Sequence, residues 1–84
     1  MVSSMEAGKR PIALITKYLN RNIRVTLKND LMYEGMVVEC DSFMNLVIEK
    51  AVEYQDNNKR AMYPRILIRG NNIMYIQLIP ESSE

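Results

Sequence analysis

The sequence predicts a mainly β domain: a short N-terminal α-helix followed by a strongly bent five-stranded antiparallel barrel, assembling into a ring. Three observations predict it. Apolar spacing follows a helical period only once, just after Pro11, and changes to a period of two from Asn22 onward. Five short strand-like runs then follow, with no second helix to supply a parallel crossover. The last two of these runs are apolar on both faces, and such strands at the edges of a sheet need partners.

Each element has a local reason. In "PIALITKYL" a stripe of Ile12, Ile15 and Leu19, with Leu14 and Tyr18 beside it, predicts an amphipathic helix. Pro11 suits its first turn, where a missing N–H costs nothing, and Asn20 and Asn22 favour a stop. A helix this short must lie against something. In "NIRVTLKN" Ile23, Val25 and Leu27 alternate with Arg24, Thr26 and Lys28, as in a strand with one wet face. "KND" makes a tight turn. "LMYEGMVVEC" is a second strand, and Gly35 in its middle marks a bend or bulge. "MNLVIEKAVEY" is the third strand. "QDNNKRAMYP" reads as a polar loop. "RILIRG" and "NNIMYIQLI" are two further strands, broken at Gly70 and Asn71. Residues 1–9 and 81–84 read as flexible tails around a domain at 10–80.

Composition narrows the function. An 84-residue chain buries only about 60% of the surface that its unfolded form exposes, and domains of this size lean on disulfides, metals or partner chains. A single cysteine, Cys40, forms no internal disulfide, and without histidine or a second thiol no zinc site is expected. No cofactor is expected either. Association remains, and edge strands at about 66–69 and 72–79 that pair head to tail and close into a ring leave no free edge. The first residues lack the apolar core of a signal peptide, no apolar run is long enough to span a membrane, and a lone cysteine suits a reducing compartment. The expectation is therefore a cytoplasmic protein, with the nucleus as the alternative for a eukaryotic chain. Eleven bases balance ten acids, so nucleic-acid binding would need basic groups focused locally or multiplied by assembly.

Catalytic pairs are hard to assemble from these residues, and no enzyme is expected. Glu34, Glu39, Asp41, Glu49 and Glu53 fall along the strands and read as solvent-facing charges. Binding chemistry is better supplied. In "DSFMN", Phe43 offers a flat face for base stacking, Asn45 offers a donor and an acceptor to a base edge, and Asp41 can fix which way that amide points. In "IRGNN", the planar guanidinium of Arg69 can cover the other face of a base. Gly70 allows close backbone approach, and Asn71 can brace the loop. Simpler readings of the same residues stay open: an Asx-turn at Asp41, a core Phe43, a turn-capping Asn45, and an Arg69 paired with Glu39 or another strand acid.

A short helix, then "DSFMN" within a five-strand pattern, then "IRGNN" about two dozen residues later resembles the Sm and Sm-like family over nearly all of residues 10–80. Gly35 falls where that family bends its second strand. The resemblance implies a toroid, usually of seven subunits, in which the fourth strand of one copy pairs with the fifth of the next. Uridine-rich single-stranded RNA binds around the pore of such toroids. By motif position it implies stacking by Phe43, base-edge hydrogen bonding by Asn45, orientation of Asn45 by Asp41 and stacking by Arg69, with Gly70 and Asn71 completing the second loop. Archaeal members often carry His at the position of Phe43 and Asp at that of Asn71. The absence of a long basic tail fits an archaeal, self-assembling type. The expected function is thus a homo-oligomeric, heptameric ring serving RNA processing as scaffold or chaperone. The alternatives are a subunit of a hetero-oligomeric ring in splicing or mRNA decay, and an SH3-like adaptor that binds no RNA.

Overall fold

The computed structural model describes residues 16–80. Most of the expected helix and both expected tails lie outside the described residues. Within them, residues 16–18 form a last helical turn, followed by β1 (Asn22–Leu27), β2 (Leu31–Cys40), β3 (Leu46–Gln55), β4 (Asn58–Ile68), a 3-10 turn at Gly70–Asn72, and β5 (Ile73–Leu78). The helical turn ends where Asn20 takes a left-handed φ of 61°, a conformation that asparagine tolerates at helix ends. There it docks on β2, with Asn20 N–H donating to the Val37 carbonyl at 2.8 Å and Val37 N–H donating to the Arg21 carbonyl at 3.0 Å. No helix among the described residues is long and apolar enough to cross a membrane.

All five strands pair antiparallel in one sheet of order β4-β3-β2-β1-β5. The sheet's two edges are therefore the two strands whose apolar faces called for partners. Ile23, Val25 and Leu27 of β1 point inward with Val37, Leu46, Ile48, Ala51 and Ile68, forming a core that Tyr18 and Leu19 help to cover. Each fully buried aliphatic side chain contributes about 1.5–3 kcal/mol, so a core this small has little to spare.

The bend lies at Gly35, as its position in the strand suggests. Pairing between β2 and β3 shifts register there, from Glu34 opposite Val52 to Met36 opposite Glu49. Two residues, Lys50 and Ala51, thus oppose the single Gly35, and Lys50 adopts a φ of 53°. A Cβ on Gly35 would stand 2.4 Å from Ile48 Cγ2 and 2.8 Å from the Glu49 carbonyl oxygen. The strands cross too closely at the bend for any side chain.

Two expectations need correction. "QDNNKRAMYP" is not a loop: β3 runs to Gln55 and β4 starts at Asn58. The connection is a two-residue turn, Asp56-Asn57, with φ of 53° and 67°. These are the left-handed positions that a tight hairpin demands and that Asp and Asn accept. Pro64 is tolerated because β4 is an edge strand. Glu53, in turn, does not face solvent. It is buried among the inward residues, accepts a 2.6 Å hydrogen bond from the Tyr33 hydroxyl and lies 3.6 Å from Arg60. Burial and this carboxylate push the Tyr33 phenol well above its ordinary pKa.

Candidate nucleic-acid interface

The β2–β3 loop is held by one carboxylate. Asp41 Oδ1 accepts hydrogen bonds from the backbone N–H groups of Phe43 at 2.9 Å and Asn45 at 3.0 Å. Asp41 Oδ2 accepts the Asn45 side-chain amide at 3.0 Å. The Asx-turn and the amide-orienting role, alternatives in the sequence, are thus one arrangement. These donors lower the Asp41 pKa, the Asn45 backbone N–H most of all and then the Asn45 amide. Met44 turns inward at a φ of 62° and is buried in the core. With that anchor beneath it, Phe43 points outward and is 55% exposed. It is not a core residue.

The second loop reaches the first through Gly70, whose N–H donates to Asn45 Oδ1 at 2.8 Å. The approach excludes a side chain, since a Cβ on Gly70 would stand 1.9 Å from the Phe43 carbonyl oxygen. Asn45 is thereby held at both ends, its amide nitrogen by Asp41 and its oxygen by Gly70. One amide N–H and one lone pair of the oxygen remain for a ligand. Asp41 and Asn45 also line a shallow dent with Glu39, Cys40, Val47 and Leu67.

Arg69 precedes the 3-10 turn and is exposed. Among the described residues its guanidinium makes no hydrogen bond or ion pair, although its charge is felt at Asp41. The acid that might have claimed it is engaged elsewhere: Arg65 binds Glu39 at 3.1 Å and Glu49 at 3.0 Å. Bracing of the loop falls to Asn72, not Asn71. The Asn72 N–H donates to the Arg69 carbonyl at 3.0 Å, and its carbonyl accepts the Lys28 N–H at 2.9 Å. Asn71 is exposed and, among the described residues, makes no hydrogen bond. Nothing in the sequence separated the two asparagines, because the bracing uses backbone atoms that every residue carries.

Cys40, beside the loop, is half-buried, and its pKa is raised, by burial first and then by the charge of Asp41. A thiol in this state is a poor nucleophile. Among the described residues no group of three or more His, Cys, Asp or Glu stands ready to hold a metal ion.

The fold and its paired loops define a class: a small bent β domain with unsatisfied edges and one outward aromatic beside an immobilised amide. The LSM domain family model matches residues 13–78, and the chain belongs to that family. It is 35% identical over 69 residues to the U6 snRNA-associated Sm-like protein LSm6 of Chaetomium globosum, covering 82% of this chain and 84% of the relative. It is 34% identical over 73 residues to the LSm6 protein of Ajellomyces capsulatus, covering 87% and 91%. Among solved structures it resembles the Pyrococcus abyssii Sm protein in complex with a uridine heptamer, with a TM-score of 0.76, 30% identity, and coverage of 84% of this chain and all of that one. A heptameric archaeal Sm protein matches with a TM-score of 0.73 at 25% identity over 81% and 98%. The curated relatives named here are fungal, which does not support the archaeal type expected from the tails.

Proposed function

We propose that the chain is one subunit of a hetero-oligomeric Sm-like ring that holds uridine-rich single-stranded RNA, in a nuclear particle of the U6 type. The observation that carries it is the doubly held Asn45 amide beside an exposed Phe43. A ring that stacks on Phe43 brings its edge to the one free N–H and one free acceptor of Asn45. Uracil carries a matching acceptor and donor side by side on its Watson–Crick edge. Because the amide is locked, it cannot exchange donor for acceptor to suit another base. Arg69 closes the slot from the second loop and supplies charge near the phosphates. One slot per subunit is weak, and several on one ring multiply avidity by about 10²–10⁴. No catalytic role is assigned.

Similarity to LSm6 proteins favours a mixed ring over a homo-heptamer. Similarity to a heptameric archaeal Sm protein supports the homo-ring as the second reading. Native mass of the chain purified alone separates them. A monomer or incomplete oligomer is the expected result, and a closed ring from this chain alone would reverse the order. Anisotropy titrations of the assembled ring with oligo-U and oligo-A then test the site. Preference for oligo-U, lost in a Phe43→Ala/Asn45→Ala variant, is expected. Failure of the ring to bind either oligomer at low salt would leave a protein adaptor instead.

A further inference from the structure

One row of side chains crosses all five strands on the outer face of the sheet. Lys59 of β4 stands opposite Tyr54 of β3, Tyr54 opposite Met32 of β2, Met32 opposite Thr26 of β1, and Thr26 opposite Tyr75 of β5. Their chain neighbours Val25, Tyr33, Glu53 and Ile76 pack inward, so by the alternation of a strand this row points out. Apart from Lys59 it carries no charge. Tyr75 is 51% exposed. Unlike Tyr33, whose hydroxyl binds Glu53, neither Tyr54 nor Tyr75 has a hydrogen bond at its hydroxyl among the described residues. Glu34, in the adjoining row, is paired with Arg24 at 2.6 Å. Lys59 and, just past the end of β1, Lys28 are exposed and make no ion pair among the described residues. Asp30 and Asp56 belong to turns outside the row.

These features suit single-stranded RNA. Tyrosine rings on a sheet face offer surfaces on which bases stack whatever their identity. Tyr54 and Tyr75 lie three strand spacings apart, about 14 Å along the sheet, so they seat two different bases. Met32 and Thr26 form an uncharged floor between them. The unpaired lysines suit phosphates, and the row holds no carboxylate to repel them. The proposed ring joins β4 and β5 through their backbone edges, which leaves this outer face uncovered. We propose that the row is a second RNA-binding platform that stacks bases on Tyr54 and Tyr75 without reading their sequence. It is separate from the base slot: Met32 is the second residue of β2, whereas Asp41 follows the last residue of that ten-residue strand. Its chemistry does not depend on Phe43, Asn45 or Arg69.

The test uses the assembled ring carrying Phe43→Ala/Asn45→Ala, which silences the slot, with ring mass checked for each variant. The probe is a labelled single-stranded RNA of mixed, purine-containing sequence, because uracil has the smallest stacking face, read by anisotropy at low salt. Adding Tyr54→Ala/Tyr75→Ala is expected to weaken binding by at least about fivefold, the low end of what one lost stacking contact costs. Tyr54→Phe/Tyr75→Phe should bind as the parent does, since the rings remain. Lys59→Ala should lower the slope of affinity against salt by about one. If the double alanine variant fails to assemble, Tyr75→Ala alone takes its place with the same minimum loss, its ring being half in solvent. Equal binding with and without the tyrosine rings, or the same loss in the phenylalanine variant, would overturn the proposal. So would loss of oligo-U preference when Tyr54→Ala/Tyr75→Ala is placed in a ring with an intact slot, because the row would then be no separate site. A wild-type ring without preference for oligo-U overturns the slot reading instead and leaves the platform standing.

Discussion

The two loops of the slot are made differently. The β2–β3 loop is preorganised: three hydrogen bonds to Asp41, a buried Met44 and the Gly70 N–H hold Phe43 and Asn45 in place before any ligand arrives. The β4–β5 loop is fixed only in its backbone, through Gly70 and Asn72, while the side chains of Arg69 and Asn71 are exposed. In the proposed slot the first loop would supply specificity through its fixed amide. The second would supply an adaptable cation, the exposed Arg69. Preorganisation lowers the ordering cost of binding, so the rigid half should tolerate change least.

The sharpest way to break the contrast is Gly70→Ala, because it strikes the hydrogen bond from Gly70 N–H to Asn45 Oδ1 that joins the loops. Its Cβ meets backbone, not a flexible side chain. It is expected to cost about 1–3 kcal/mol of stability, measured by denaturant unfolding, and to abolish oligo-U binding. Phe43→Ala should separate function from stability. An outward ring contributes little to the core, so the unfolding midpoint should hardly move while each bound base loses about 1–3 kcal/mol of stacking. Arg69→Ala should weaken oligo-U binding less than Phe43→Ala and flatten its salt dependence, which a titration at several ionic strengths reads directly.

The smallest effect is with pH. The Asp41 pKa is depressed in the folded chain, so its stabilisation is complete above the ordinary Asp value of about 3.9. It is lost only as pH falls through the depressed folded value. Oligo-U affinity should therefore show no Asp41-linked step between pH 8 and about 5. A step near neutrality that disappears in Asp41→Asn would contradict the geometry.

Much of this was legible in the sequence, for reasons that differ by region. β1 shows strict alternation because one face is buried and the other wet, and Gly35 signals the bend because no other residue fits there. Asp41, Phe43 and Asn45 were legible because their chemistry is local to one turn. What escaped depended on contacts distant in the chain. The polar residues of 58–63 resemble a loop, since an edge strand keeps much of its surface in water. Glu53 looked like a surface acid because its partner, Tyr33, lies 20 residues away. The bond from Gly70 to Asn45 spans 25 residues and uses a backbone donor that leaves no mark on composition.

The strand order has one more consequence. With β4 at one edge and β5 at the other, the two sides of the molecule are unlike, and subunits joined side to side all face the same way around. Their slots then succeed one another in a fixed rotational sense. RNA also has a direction, from 5′ to 3′. A strand laid along such a circle one way round is not equivalent to the same strand laid the other way. Polarity is thus a property the assembly would read even in a run of identical bases, where there is no sequence to read.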